Sequence, residues 1–93
     1  MYSIEPATYR EAEKLNVIVK PSTVKGKKIA VYSKDGKYYG SIGALGMMDY
    51  HKYLKRDGEE VANEHRRRYK MRHEKDRHKI NSRGYFSDKL LWS

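Results

Sequence analysis

The stretch GKKIAVYSKDGKYYGSI, Gly26 to Ile42, constrains the fold more than any other. Two runs rich in β-branched and aromatic residues flank Asp35-Gly36. Glycine accepts the positive φ that a tight primed turn demands. An antiparallel hairpin of Lys27–Ser33 and Lys37–Ile42 follows. Its period of two puts Ile29 and Val31 on one face and Ala30 and Tyr32 on the other. Upstream, LNVIVKP predicts a third strand over Leu15–Lys20, rich in β-branched residues and stopped by Pro21.

Helical signals surround this sheet. EPATYREAEKL predicts a short helix, with Pro6 in the first turn and Thr8 and Glu11 as a capping box. Asp49 is the expected N-cap of a second helix, and Asp57-Gly58 its stop. The longest helix is expected from Glu59 to about Lys79, with acids at its start and bases at its end. Its apolar stripe is poor: Val61, His65, Tyr69 and His73 step by four, with Ala62 beside them. Ser87 is the expected cap of a last short helix, with Phe86 stapled onto Leu91. Strands first and helices after make the class α+β: a small antiparallel β-hairpin or three-stranded sheet, then a basic helix and a short C-terminal aromatic helix. One small domain over residues 1–93 would comprise an N-terminal helical arm (1–14), the β-hairpin region (15–43), basic helices (47–80) and an aromatic C-terminal anchor (84–93).

The core must be thin. Nine Tyr stand against one Phe and one Trp, and a phenol ring buries area but needs a partner for its hydroxyl. That composition suits half-buried surfaces and interfaces. The absence of Cys excludes disulfides and thiolate zinc sites. Secreted chains this small normally carry such staples, so an intracellular or intraviral setting is expected. MYSIEPATYREAEKL has neither a basic nor an apolar leader region, so no signal peptide is expected. No apolar run approaches the roughly 20 residues of a membrane span. The net charge is +9, and seven of eight Arg lie after residue 46. Such a chain seeks a polyanion: nucleic acid, an acidic protein surface or anionic lipid.

NEHRRRYKMRHEKDRHKIN, Asn63 to Asn81, concentrates that charge in eight bases against three acids. Arg66, Arg67, Arg68, Lys70, Arg72 and Arg77 are the candidate partner-binding residues, for a carboxylate surface or for phosphate. Lys75 and Lys79 belong to the same ring of cations, and Tyr69 interleaves it as stacking platforms do. Charge runs on helices are more often solvated faces, and Glu64, Glu74 and Asp76 can pair with several of these bases. Among the four His, His65 and His73 lie about 12 Å apart on a helix, too far for one metal, and His73 and His78 are poorly spaced. No metal ligand set, cofactor site or small-molecule substrate is expected. The Gly40/Gly43/Gly46 spacing lacks the Lys-Ser/Thr ending of a phosphate loop and fits a bent connection off a strand. Asp49 with His51 is the best acid–base pair on offer, but no nucleophile elbow or carboxylate pair accompanies it, so no catalytic residue and no enzyme is expected. Tyr50, Tyr69, His73, Phe86, Leu90, Leu91 and Trp92 are the candidate packing or anchoring residues. The C-terminal cluster is either the lid of the small core or a plug into a neighbour.

Several of these pieces recur together in a family. Gly26-Lys27-Lys28 at the hairpin start, Asp49-Tyr50, Arg66/Arg67-Tyr69-Arg72-His73, and Phe86 with Leu90-Leu91-Trp92 resemble, in order and spacing over residues 21–93, a small basic family carried by large DNA viruses of algae and amoebae. Ile42 stands where that family has an aromatic residue. The resemblance implies a viral origin and a small α+β unit, and it carries no activity with it. It leads to the expectation of a structural virion component, a minor capsid protein docked on other capsid or virion proteins. Such a protein would be made in the host cytoplasm, not secreted, and found in the capsid interior or shell. The alternative is a small nucleic-acid-binding protein using the Arg-rich helix 63–81.

Overall fold

The hairpin forms where the turn chemistry predicts it. A computed structural model, describing residues 2–92, pairs β2 (Lys27–Ser33) antiparallel with β3 (Tyr38–Ala44) across a turn in which Gly36 takes φ 98°. β1 (Val17–Pro21) pairs with the other edge of β2, giving the order β1-β2-β3. The register sets Ile29 opposite Ile42 and Val31 opposite Val19, so the β-branched residues meet on one face. β1 alternates as a half-buried edge strand should: Val17 and Val19 are buried, Ile18 and Lys20 exposed. β3 runs two residues past the expected end, so Gly40 and Gly43 belong to a strand and not to a connection.

Four helices complete the α+β fold: α1 (Pro6–Lys14), α2 (Tyr50–Asp57), α3 (Glu59–Arg72) and α4 (Arg83–Leu91). Asp49 caps α2 by accepting the Lys52 N–H at 3.4 Å, and Gly58, at φ 90°, separates α2 from α3. Pro6 opens α1 as expected, but Thr8 caps nothing. Glu5 is the N-cap residue, and the buried Thr8 hydroxyl donates to the Leu90 carbonyl at 3.0 Å. A hydroxyl that reads locally as a cap is thus a bond between the first and last helices.

Two further expectations are corrected. α3 ends at Arg72 and does not reach Lys79. His73 leaves helical geometry (φ −110°, ψ 19°), and the N–H groups of Asp76 and Arg77 both turn back to its carbonyl. The segment 73–82 then folds against α4, where Gly84 leaves room for it: a Cβ there would meet the Asp76 carbonyl at 2.9 Å. α4 is capped by Ser82, which accepts the Tyr85 N–H, so Ser87 and Phe86 lie inside the helix and no staple forms. The expected α3 stripe is also narrower. Val61 is exposed, and only Ala62 and Tyr69 of α3 are buried.

The core joins the sheet to the C-terminus. Phe86, Leu90, Leu91 and Trp92 are buried together with Val19, Ile29, Val31 and Ile42. Ile4 and Ala12 join them, so the N-terminal segment is packed into the fold. Met1 and Ser93, the ends of the expected domain, lie outside the described residues. Trp92 stacks on Tyr69 with ring centroids 4.6 Å apart and planes 8° from parallel, so α4 is clasped to α3. Trp92→Ala is expected to lower stability by about 3–5 kcal/mol in urea unfolding. Lys37→Ala at the exposed hairpin end should stay within about 0.5 kcal/mol of wild type.

Candidate functional site

Three buried carboxylates decide which cations remain available to a partner. Asp49, 2% exposed, holds Lys28 of β2 at 3.4 Å and accepts the Tyr2 hydroxyl at 2.7 Å. Burial and this bond push the Tyr2 phenol well above its usual pKa. Glu5 holds Lys52 and Lys55 of α2 at 2.8 and 2.6 Å. Hydrogen bonds from these two ammonium groups pull its carboxyl below the ordinary range, against the opposing effect of burial. Asp88 of α4 is fully buried and accepts Lys70 of α3 at 2.7 Å, with Arg77 at 3.8 Å. Each pair bridges two elements of the fold, and each ends on a buried or nearly buried carboxylate.

The six cations expected to meet a partner therefore divide. Lys70 and Arg77 are engaged on the chain's own Asp88, and Arg77 also bonds to Glu74. Arg67 and Arg68 share Glu64, whose carboxyl they hold down to about 2. Arg66 bonds to Asn63 and lies over the Tyr50 ring, 4.3 Å from its centroid. Of the six, only Arg66 and Arg72 form no ion pair among the described residues. The Asn63–Asn81 stretch is thus not one continuous basic face.

The packing candidates come together as an aromatic ladder. Tyr53 stacks on His65 at 3.8 Å, Trp92 lies 6.1 Å from Tyr53 and stacks on Tyr69, and His73 flanks Tyr69 at 4.4 Å. Burial raises the Tyr69 phenol pKa. Tyr50 is buried and donates to Asn63 at 2.8 Å. Phe86, Leu90, Leu91 and Trp92 all lie in the chain's own core, the lid arrangement of the two considered for the C-terminus. The Asp49 carboxylate is occupied by Lys28 and Tyr2, which leaves it no access to a substrate proton. Among the described residues, no three His, Asp or Glu side chains are grouped to hold a metal ion, and no helix is long and apolar enough to cross a membrane.

Two of the open surfaces bear most directly on a partner. One is a polar groove of about 560 Å³ walled by Lys27, Lys75, Lys79, Arg83 and Ser82. The other is a recess of about 540 Å³ lined mainly by apolar atoms, around Tyr2, Leu45, Met47 and Met48. They share no residue. Lys27 and Arg83 were missed as site residues because neither lies in the Arg-rich stretch. Only the closure of segment 73–82 on α4 brings Lys75 and Lys79 to them. Comparison with known protein families, curated proteins and solved structures finds no match to the chain.

Two outcomes test the buried carboxylates. Asp88→Ala should cost about 3 kcal/mol, since it strands Lys70 and Arg77 at a buried site, and denaturant titration measures it. Glu5 has a folded pKa below its free value of 4.5. Its contribution is therefore complete above that value and is lost as pH falls through the folded pKa. The wild-type urea midpoint should stay level from pH 7 to about 5 and fall below it, and Glu5→Gln should flatten that fall.

Proposed function

We propose that this chain is a structural component of a large DNA virus particle: a small minor capsid or internal virion protein that docks on other virion proteins and catalyses nothing. The observation that carries this reading is the apolar recess after β3. Leu45 and Met47 are 51% and 63% exposed at its edge, in a chain too poor in apolar residues to leave them out of the core without loss. Exposed apolar clusters of this kind, with Met prominent, are what docking surfaces present. Lys52, Lys55 and Arg56 rim the recess, where Glu5 and Asp57 pair with all three and leave one net positive charge. The contact would therefore be apolar at its centre. Arg66 and Arg72 would add charge-assisted bonds to an acidic neighbour. The viral setting rests on the resemblance of residues 21–93. Nucleic-acid binding through the whole 63–81 stretch as one basic face has less support, because Arg67, Arg68, Lys70 and Arg77 are already engaged within the chain.

The test is retention on shells. Labelled protein should co-sediment with detergent-stripped particles of an algal or amoebal large DNA virus. Leu45→Asp with Met47→Asp should reduce retention on the order of tenfold or more, while circular dichroism stays unchanged. Retention equal to wild type would overturn the docking role of this recess.

A further inference from the structure

The chain spends its carboxylates unevenly. Among the described residues, Lys27, Lys75, Lys79 and Arg83 form no ion pair, and all four wall the same groove. They come from three places: the first residue of β2, the 73–82 segment and the first residue of α4. The one carboxylate on the groove wall, Asp76, faces His73 Nδ1 at 3.6 Å. Four cations against one acid in a cleft concentrate positive potential there. The Arg83 stem is held in place by Gly40, where a Cβ would approach its Cγ to 2.9 Å. The backbone at Gly43 and Gly84 and the hydroxyls of Ser82 and Ser87 line the same cleft.

An aromatic recess opens beside it. Gly43, Tyr69, His73 and Ser87 belong to both the groove and this recess of about 320 Å³, whose further walls include Tyr53, Met48, Arg72 and Trp92. Its volume suits a single ring system. We infer that the groove binds single-stranded nucleic acid, with phosphates along Lys27, Lys75, Lys79 and Arg83 and an unstacked base in the recess beside Tyr69. A cationic groove that tracks the backbone beside an aromatic seat for a base is how single strands are held without sequence preference. Here Trp92 and His73 already stack on Tyr69 and His65 on Tyr53, so the base would lie against this ring cluster and not between its members. A duplex offers phosphates but no free base. A lipid headgroup or inorganic phosphate offers no flat aromatic ring for the recess. The groove shares no residue with the apolar docking recess, although the aromatic recess shares Lys28, Met47 and Met48 with it. Lys75 and Lys79 line neither recess, so variants there test this site apart from the docking reading.

The experiment is fluorescence anisotropy of the full chain with an oligothymidylate about twelve nucleotides long, across roughly 50–200 mM salt. Four phosphate contacts predict a slope of about −3 in log affinity against log salt. Lys75→Gln with Lys79→Gln, both exposed, should reduce that slope by about 1.4. Arg67→Gln with Arg68→Gln, outside the groove, should leave it unchanged. An abasic strand of equal length and charge should bind about tenfold more weakly. If the Lys double variant fails to fold, Lys27→Gln with Arg83→Gln replaces it with the same expectation. Unaltered affinity and slope in a folded groove variant would overturn the site. Equal binding of the abasic strand, tighter binding of a matched duplex, displacement by millimolar inorganic phosphate, or preferential capture by anionic phospholipid vesicles would overturn the single-strand assignment.

Discussion

A lysine of one element ending on a buried carboxylate of another is the contact on which the rest of this structure depends. Lys52 and Lys55 on Glu5 bind α2 to the start of α1, Lys28 on Asp49 binds the sheet to α2, and Lys70 on Asp88 binds α3 to α4. With one Phe and one Trp, the apolar core cannot fix the orientation of four helices alone. The carboxylates add direction. A buried charge left without its partner is strongly disfavoured, so each pair penalises any arrangement that separates its two elements. Thr8, bonded to the Leu90 carbonyl, closes the circuit between first and last helix.

These pairs also set the outer surface. Every cation drawn inward is lost to a partner, and the Arg-rich stretch loses most. Lys70 and Arg77 turn to Asp88, and Arg67 and Arg68 crowd onto Glu64. Four of the cations left without an ion pair among the described residues, Lys27, Lys75, Lys79 and Arg83, come from several elements and meet in the groove between β2, segment 73–82 and α4. The apolar recess at Leu45 and Met47 lies apart from it. The chain therefore presents an apolar recess and a cationic groove on separate sets of residues.

Of the fold, the sequence made the local features legible. Asp35-Gly36 marked the hairpin, Asp49 the cap of α2, Gly58 its end and Pro6 the start of α1, because each acts on its own neighbours. Ser87 reads locally as the cap of the last helix, but Ser82 takes that place, with segment 73–82 packed against Gly84. Of the candidate site, Arg66 and Arg72 stood in the sequence only as two of six candidate cations, not separable from the four that form ion pairs, and Lys27 and Arg83 were not candidates, since nothing in their own surroundings singles them out.

The sequence by itself determined the α+β class, the strand positions implied by runs of β-branched residues, and an excess of nine positive charges. Turn chemistry, periodicity and charge counts are properties of neighbouring residues or of the whole chain, and they survive without knowledge of the fold. The tertiary structure alone decided where α3 stops, what Thr8 bonds to, and which cations stay free. Those outcomes rest on ion pairs and bonds between residues as far apart as Thr8 and Leu90, 82 positions in sequence. Pairing over such distances is set by which elements pack together, and no local pattern encodes it.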